Sequence, residues 1–249
     1  MKKLIVAISF LLFPFMLMAS VNKAEFIKKF SKAQKIQKAN LSGYMQIEMF
    51  MMGLPMKIWG NFWIKEKLYK MDMLTQIPNS PKSIKSLLIF DGKTIWRIGN
   101  KMIMKIDVNK LPKQSREEQI QNSPFLGTDK FAENMDKYYK EAKIIDKTKN
   151  GKEYYVVTIQ GKFIKEITPS NVTNFQKIVL WINKKDMMTR KIEVYGKNKE
   201  PGVSIKFKNL STKSIPESMF IYTPPPNAKV VDMTSIVGSM YGKQSSLQP

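Results

Sequence analysis

The chain has 249 residues, 42 basic against 20 acidic, a formal net charge of +22, and neither histidine nor cysteine. Those two absences exclude the commonest general base and metal ligand, thiol nucleophiles, thiolate zinc sites and disulfides. The positive charge is lysine, with only Arg97, Arg116 and Arg190 as arginines, and it is scattered along the chain. Arginine-rich nucleic-acid recognition is therefore not expected, whereas a solvated face, or attraction to anionic lipid or an acidic partner, is.

Lys2 and Lys3 precede an apolar run from Leu4 to Met18, and Ala19 and Ser20 are small. That order predicts a secretory signal peptide over residues 1–20, cleaved to give a soluble periplasmic protein. A retained N-terminal anchor is the alternative, although the apolar stretch is short for a span of about 20 residues. A lipid-modified exported protein needs a cysteine after its signal, and the chain has none. Residues 21–234 are read as one domain, and 235–249 as a loose polar tail.

Asn22 to Lys38 carries Ile27, Phe30, Ala33 and Ile36 at helical spacing, which predicts an amphipathic helix with those residues inward. The period then changes to two. Met45, Ile47, Met49 and Met51 alternate with Tyr44, Gln46, Glu48 and Phe50, as in a half-buried strand, and Gly53-Leu54-Pro55 breaks the run. Ile58 to Lys65 alternates in the same way. Further strands are predicted at Leu68–Leu74, Leu87–Phe90, Ile95–Ile98 and Met102–Asp107, with Asp91-Gly92-Lys93 and Gly99-Asn100 as hairpin turns. Leu111 to Ala142 is charged and then helical in spacing (Phe131, Met135, Tyr138, Tyr139), and predicts one or two helices across a sheet. Strands resume at Tyr154–Gln160, Lys177–Ile182, Thr189–Tyr195 and Val203–Asn209. Thr223-Pro224-Pro225-Pro226 stops the last one, because proline lacks the amide that a ladder needs.

About ten strands joined by short turns predict a mainly β fold with some α. Its form is a curved antiparallel sheet, an incomplete β-barrel with helices over the concave side. No catalytic, metal-ligating or cofactor-binding residue is assigned. Glu117 and Glu118 lie in a charged helical stretch, Asp91 in a turn, and there is no phosphate loop or nucleophile elbow. A non-enzymatic role follows as an expectation. The 18 methionines are the unusual feature. Met45, Ile47, Met49, Ile58, Phe62, Ile64, Met71, Met73, Met102, Met104 and Ile106 fall on one face of the first-half strands. They are the candidate lining of an apolar ligand cavity, since methionine adapts to a changing occupant; ordinary core packing is the alternative.

Several pieces, in this order, carry a resemblance: Gly60-Asn61-Phe62-Trp63-Ile64-Lys65, then Phe90-Asp91-Gly92-Lys93-Thr94-Ile95-Trp96, then Val179-Leu180-Trp181-Ile182-Asn183, then Phe220-Ile221-Tyr222-Thr223-Pro224-Pro225. Behind an exported N-terminus and a leading helix, they resemble the LolA-like outer-membrane lipoprotein carrier and lipoprotein-sorting family over about Asn22 to Asp232. The resemblance implies a LolA/LolB-like incomplete barrel whose cavity holds lipoprotein acyl chains or lipid. It implies a monomeric periplasmic shuttle between an inner-membrane ABC transporter and an outer-membrane receptor. It also implies that an arginine after the Gly-x-Leu-Trp-x-Lys strand helps latch the lid. Here Glu66 and Lys67 occupy the matching positions, so that latch does not carry over. The alternative role is a non-transport module of the same fold, such as an envelope-stress sensor that docks another protein.

Overall fold

The computed structural model describes residues 21–51, 54–78, 80–99, 102–112, 116, 139–160, 175–197 and 199–242. The signal peptide expected over residues 1–20 and most of the helical stretch expected between Leu111 and Ala142 lie outside them.

The leading helix, α1 (Lys23–Ala39), starts where the sequence provides a cap: the Asn22 side chain accepts the Glu25 amide at 3.1 Å. Its buried face is Phe26, Phe30 and Gln37, while Ile36 is 52% exposed. The predicted stripe is thus rotated toward Phe26. An aromatic pair one turn apart gains more by burial than the Ile27/Ile36 edge would.

Twelve strands follow. They are β1 (Leu41–Met51), β2 (Leu54–Lys65), β3 (Leu68–Gln76), β4 (Ser83–Phe90), β5 (Thr94–Ile98), β6 (Ile103–Asp107), β7 (Lys143–Lys149), β8 (Lys152–Gln160), β9 (Lys177–Asn183), β10 (Thr189–Tyr195), β11 (Val203–Ser211) and β12 (Val230–Asp232). The break expected at Gly53-Leu54-Pro55 falls where β1 ends at Met51 and β2 begins at Leu54, its cross-strand partner. β7 was not expected, and neither was β12. A second helix, α2 (Thr234–Gly242), occupies the first half of the stretch read as a loose tail.

All twelve strands lie in one sheet, in the order β12-β6-β5-β4-β3-β2-β1-β11-β10-β9-β8-β7. Two antiparallel meanders, β1 to β6 and β7 to β11, are joined where β1 pairs with β11. β12 returns to lie parallel to β6 at one edge. The sheet does not close on itself, so the barrel is incomplete, as expected.

The register sorts side chains onto two faces. One row on the inner face reads Ile58, Ile47, Ile205, Ile192, Leu180, Val157 and Ile144 across seven strands. The outer face carries the alternate residues, among them Lys57, Lys70, Lys177, Lys191 and Lys206. α1 packs on the inner face of the β7–β10 half. There Phe26 and Phe30 join Tyr139, Ile144, Val157, Ile159, Leu180 and Ile182.

Turn chemistry fixes the hairpins. Asn150 and Gly151 both have positive φ (51° and 69°), the geometry a two-residue turn needs between β7 and β8. The Asp91 carboxylate accepts the Lys93 and Thr94 amides at 2.9 and 2.7 Å, which accounts for the Asp-Gly-Lys signature without any chemistry. Gly60 is required by contact: a Cβ there would stand 1.9 Å from the Asp72 carbonyl oxygen.

Candidate functional site

The candidate site is the inner face of the first meander. A second row there reads Gly43, Phe62, Met71, Leu88, Arg97 and Met104 from β1 to β6, and a third reads Leu41, Ile64, Tyr69, Phe90, Ile95 and Ile106. Short hairpins hold these rows in register, and burial of one face is what fixes that register, since a one-residue slip would turn every apolar group outward.

Of the residues singled out from the sequence, Met45, Phe62, Ile64, Met71 and Met73 are buried together in one apolar cluster. Ile47, Ile58 and Ile106 are half-buried and pack against it. Met49 and Met104 lie on the same face by register and are half-buried, outside that cluster. Met102 is the exception. It precedes β6 and is 49% exposed, so it does not join the others.

The sequence reading missed Tyr69, Phe90, Ile95 and Val108, which complete the buried cluster. It also missed Ile205, Phe207 and Leu210 from the far end of the chain, which pack on it. Cross-strand partners in the first meander were findable by carrying the register across the hairpins, because Ile64 faces Tyr69 and Tyr69 faces Phe90. The contribution of β11 was not, since nothing local announces that β1 pairs there.

Arg97 is the one charged residue in the second row. It is exposed and stands between Leu88 and Met104 toward the open edge of the face. An apolar surface with one guanidinium at its margin is suited to an amphiphile with an anionic head.

The outer face differs in kind. The Trp181 ring is overlain by the ammonium groups of Lys147, Lys149 and Lys191 at 4.9, 5.6 and 6.0 Å from its centroid. Its Nε1 donates to Glu193 at 2.8 Å, and Lys191 donates to the same carboxylate at 2.6 Å. Burial would raise the Glu193 carboxyl, but the hydrogen bonds from Lys191 and Trp181 outweigh it and hold the group below its ordinary value. Burial pushes the Tyr139 hydroxyl up, so it stays neutral inside the α1 cluster. Among the described residues no group of three or more acidic side chains could hold a metal ion, and no helix is long and apolar enough to cross a membrane.

No family model and no curated protein sequence matches the chain. Solved structures do. An uncharacterized conserved protein from Thermus thermophilus is similar at a TM-score of 0.50 and 9% identity, over 84% of this chain and 98% of that one. The likeness to that protein is one of fold. A LolA superfamily protein from Nitrosomonas europaea is similar at 12% identity and a TM-score of 0.28, over 80% of this chain and 97% of its own. LprF from Mycobacterium bovis is similar at 13% identity and a TM-score of 0.40, over 83% and 98%. At these identities the likeness is one of fold.

Proposed function

We propose that this chain is a non-catalytic carrier that takes an acyl chain on the inner face of its first meander. Its cargo is a lipoprotein or a lipid, moved through the periplasm from the inner membrane toward the outer. The observation that carries this reading is the gathering of Met45, Met71 and Met73 around Phe62 on the inner sheet face. Three methionines among cross-strand neighbours can repack around an occupant and close again when it leaves, because thioether side chains change rotamer at little cost. Each buried methylene contributes ~0.8 kcal/mol, so a dozen contribute roughly 10 kcal/mol before ordering costs. That is sufficient for a shuttle without any reactive group. Arg97 supplies a place for a phosphate or carboxylate at the margin, with the chain directed toward Leu88 and Met71. The names of the neighbouring structures, a LolA superfamily protein among them, accord with this reading.

The test is binding of an apolar fluorescent dye and of palmitate to Met49→Lys and Met104→Lys. Both positions are half-buried, so both variants should fold with an unchanged circular dichroism spectrum. Affinity is expected to fall at least about tenfold, since a charge now borders the apolar surface. Undiminished binding by both folded variants would refute the site.

A further inference from the structure

Large apolar side chains lie exposed at one end of the first meander. At the free end of the β1–β2 hairpin, Phe50 and Pro55 pair across the strands on the outer face. Phe50 is 63% exposed, and Leu54, on the inner side, is 45% exposed. At the neighbouring β3–β4 end, Ile77 and Ile84, the latter on the inner side, are 41% and 42% exposed. The register places both ends on the same side of the sheet, with Lys57 opposite Gln76 and Gln76 opposite Ser83. Four exposed large apolar side chains therefore crown two adjacent hairpins at one end of the sheet.

Basic residues ring this crown. Lys57 and Lys82 are exposed beside it. The Phe50 amide donates to the Gly202 carbonyl at 3.3 Å, which ties the β10–β11 turn, with exposed Lys197 and Lys199, to the same tip. Against these stand Glu200, and Asp72, which is already paired with Lys85 at 3.3 Å. An apolar tip within a collar of ammonium groups matches the interface of a bilayer. The side chains enter the acyl boundary while the lysines meet lipid phosphates, and long lysine stems reach past the apolar groups to do so. A protein partner could use exposed leucine and phenylalanine too, but the excess of lysine, here and in the net charge of +22, favours an anionic surface.

We infer that the β1–β2 and β3–β4 ends, through Phe50, Leu54, Ile77 and Ile84 with their lysine collar, dock this protein on anionic phospholipid bilayers. This does not depend on the inner face being a cargo site. Cosedimentation with vesicles of phosphatidylcholine alone, or mixed with phosphatidylglycerol, tests it. The wild-type chain is expected to bind the mixed vesicles and to leave the neutral ones largely unbound. The double variant Phe50→Ser, Leu54→Ser should lose binding at least about tenfold, and Lys57→Glu with Lys82→Glu by a similar factor. Ile36→Ser, at an exposed position on α1, should bind as wild type. All five positions are exposed, and dye binding by the same variants reports independently on the inner face. Three outcomes would overturn the inference: no wild-type binding, equal binding by the apolar double variant, or conversion of a dimer to a monomer by that variant with no vesicle binding by either form.

Discussion

The two meanders bury their inner faces by different means. On the β7–β10 side the contact is among rings of fixed shape. Phe26 stacks on Phe30 at 5.6 Å, both meet Tyr139 at 5.5 Å, and Phe26 meets Tyr155 edge-on at 5.0 Å. On the β1–β6 side Met45, Met71 and Met73 pack around Phe62, beside the Tyr69–Phe90 ring pair at 5.5 Å. Rings have few rotamers and depend on geometry, while methionine has three soft torsions and tolerates change. On the proposed reading, the helix-covered half stays closed and the methionine half accommodates cargo.

That contrast can be broken by substitution. The largest effect is expected for Phe30→Ala, which removes a fully buried ring from the helix-covered cluster and should cost ~3–5 kcal/mol of unfolding free energy in urea. A loss below about 1 kcal/mol would mean that α1 is loosely attached and the contrast is wrong. Met71→Leu with Met73→Leu should cost less, under ~1.5 kcal/mol for each volume-conserving swap, because leucine fills nearly the same space. Dye or palmitate binding should weaken nonetheless, as the face becomes stiffer. If affinity is unchanged, methionine here is ordinary core filling.

The smallest effect is local and concerns the edge where β12 and α2 attach. The Asp232 carboxyl accepts from the Thr234 hydroxyl and amide and pairs with Lys105, and these contacts hold it down from 3.8 to about 2. A depressed acid contributes stability that is complete above its unfolded value and is lost as pH falls through its folded one. Attachment of β12 and α2 should therefore loosen between about pH 4 and pH 2. The amide signals of Val231 and Thr234 should report this, and Asp232→Asn should show the same loosening at neutral pH. Identical spectra for the variant and the wild type at neutral pH would show that the carboxylate holds nothing.

Much of the fold was legible because burying one face of a hairpin forces a period of two, and β1 to β6 keep it. The misses share a cause. β7 places Asp146 opposite Tyr155 on the inner face, so its alternation is interrupted, and it follows a stretch of helical spacing. The phase of α1 was misread because Phe26 stands at the edge of the stripe that the sequence draws, and only the position of Tyr139 makes it central. Met102 was grouped by parity with Met104, but a strand that begins one residue later leaves it in a turn. β12 has three residues and takes its place from a partner more than a hundred positions earlier, which no local pattern encodes.

The seam between β1 and β11 has a consequence for how the chain is made. Glu48 and Lys206 face each other across it with 158 positions between them. Each meander is built from neighbours in sequence and can zip soon after it leaves the ribosome. The seam cannot, so β1 must keep an unpaired edge until almost the whole chain has arrived. Three of its outward groups, Tyr44, Gln46 and Glu48, are polar, which makes that waiting edge a poor template for another chain. Joining the two meanders is then the slow step of folding, and holding the N-terminal meander apart from its own copies during that interval falls to those three residues.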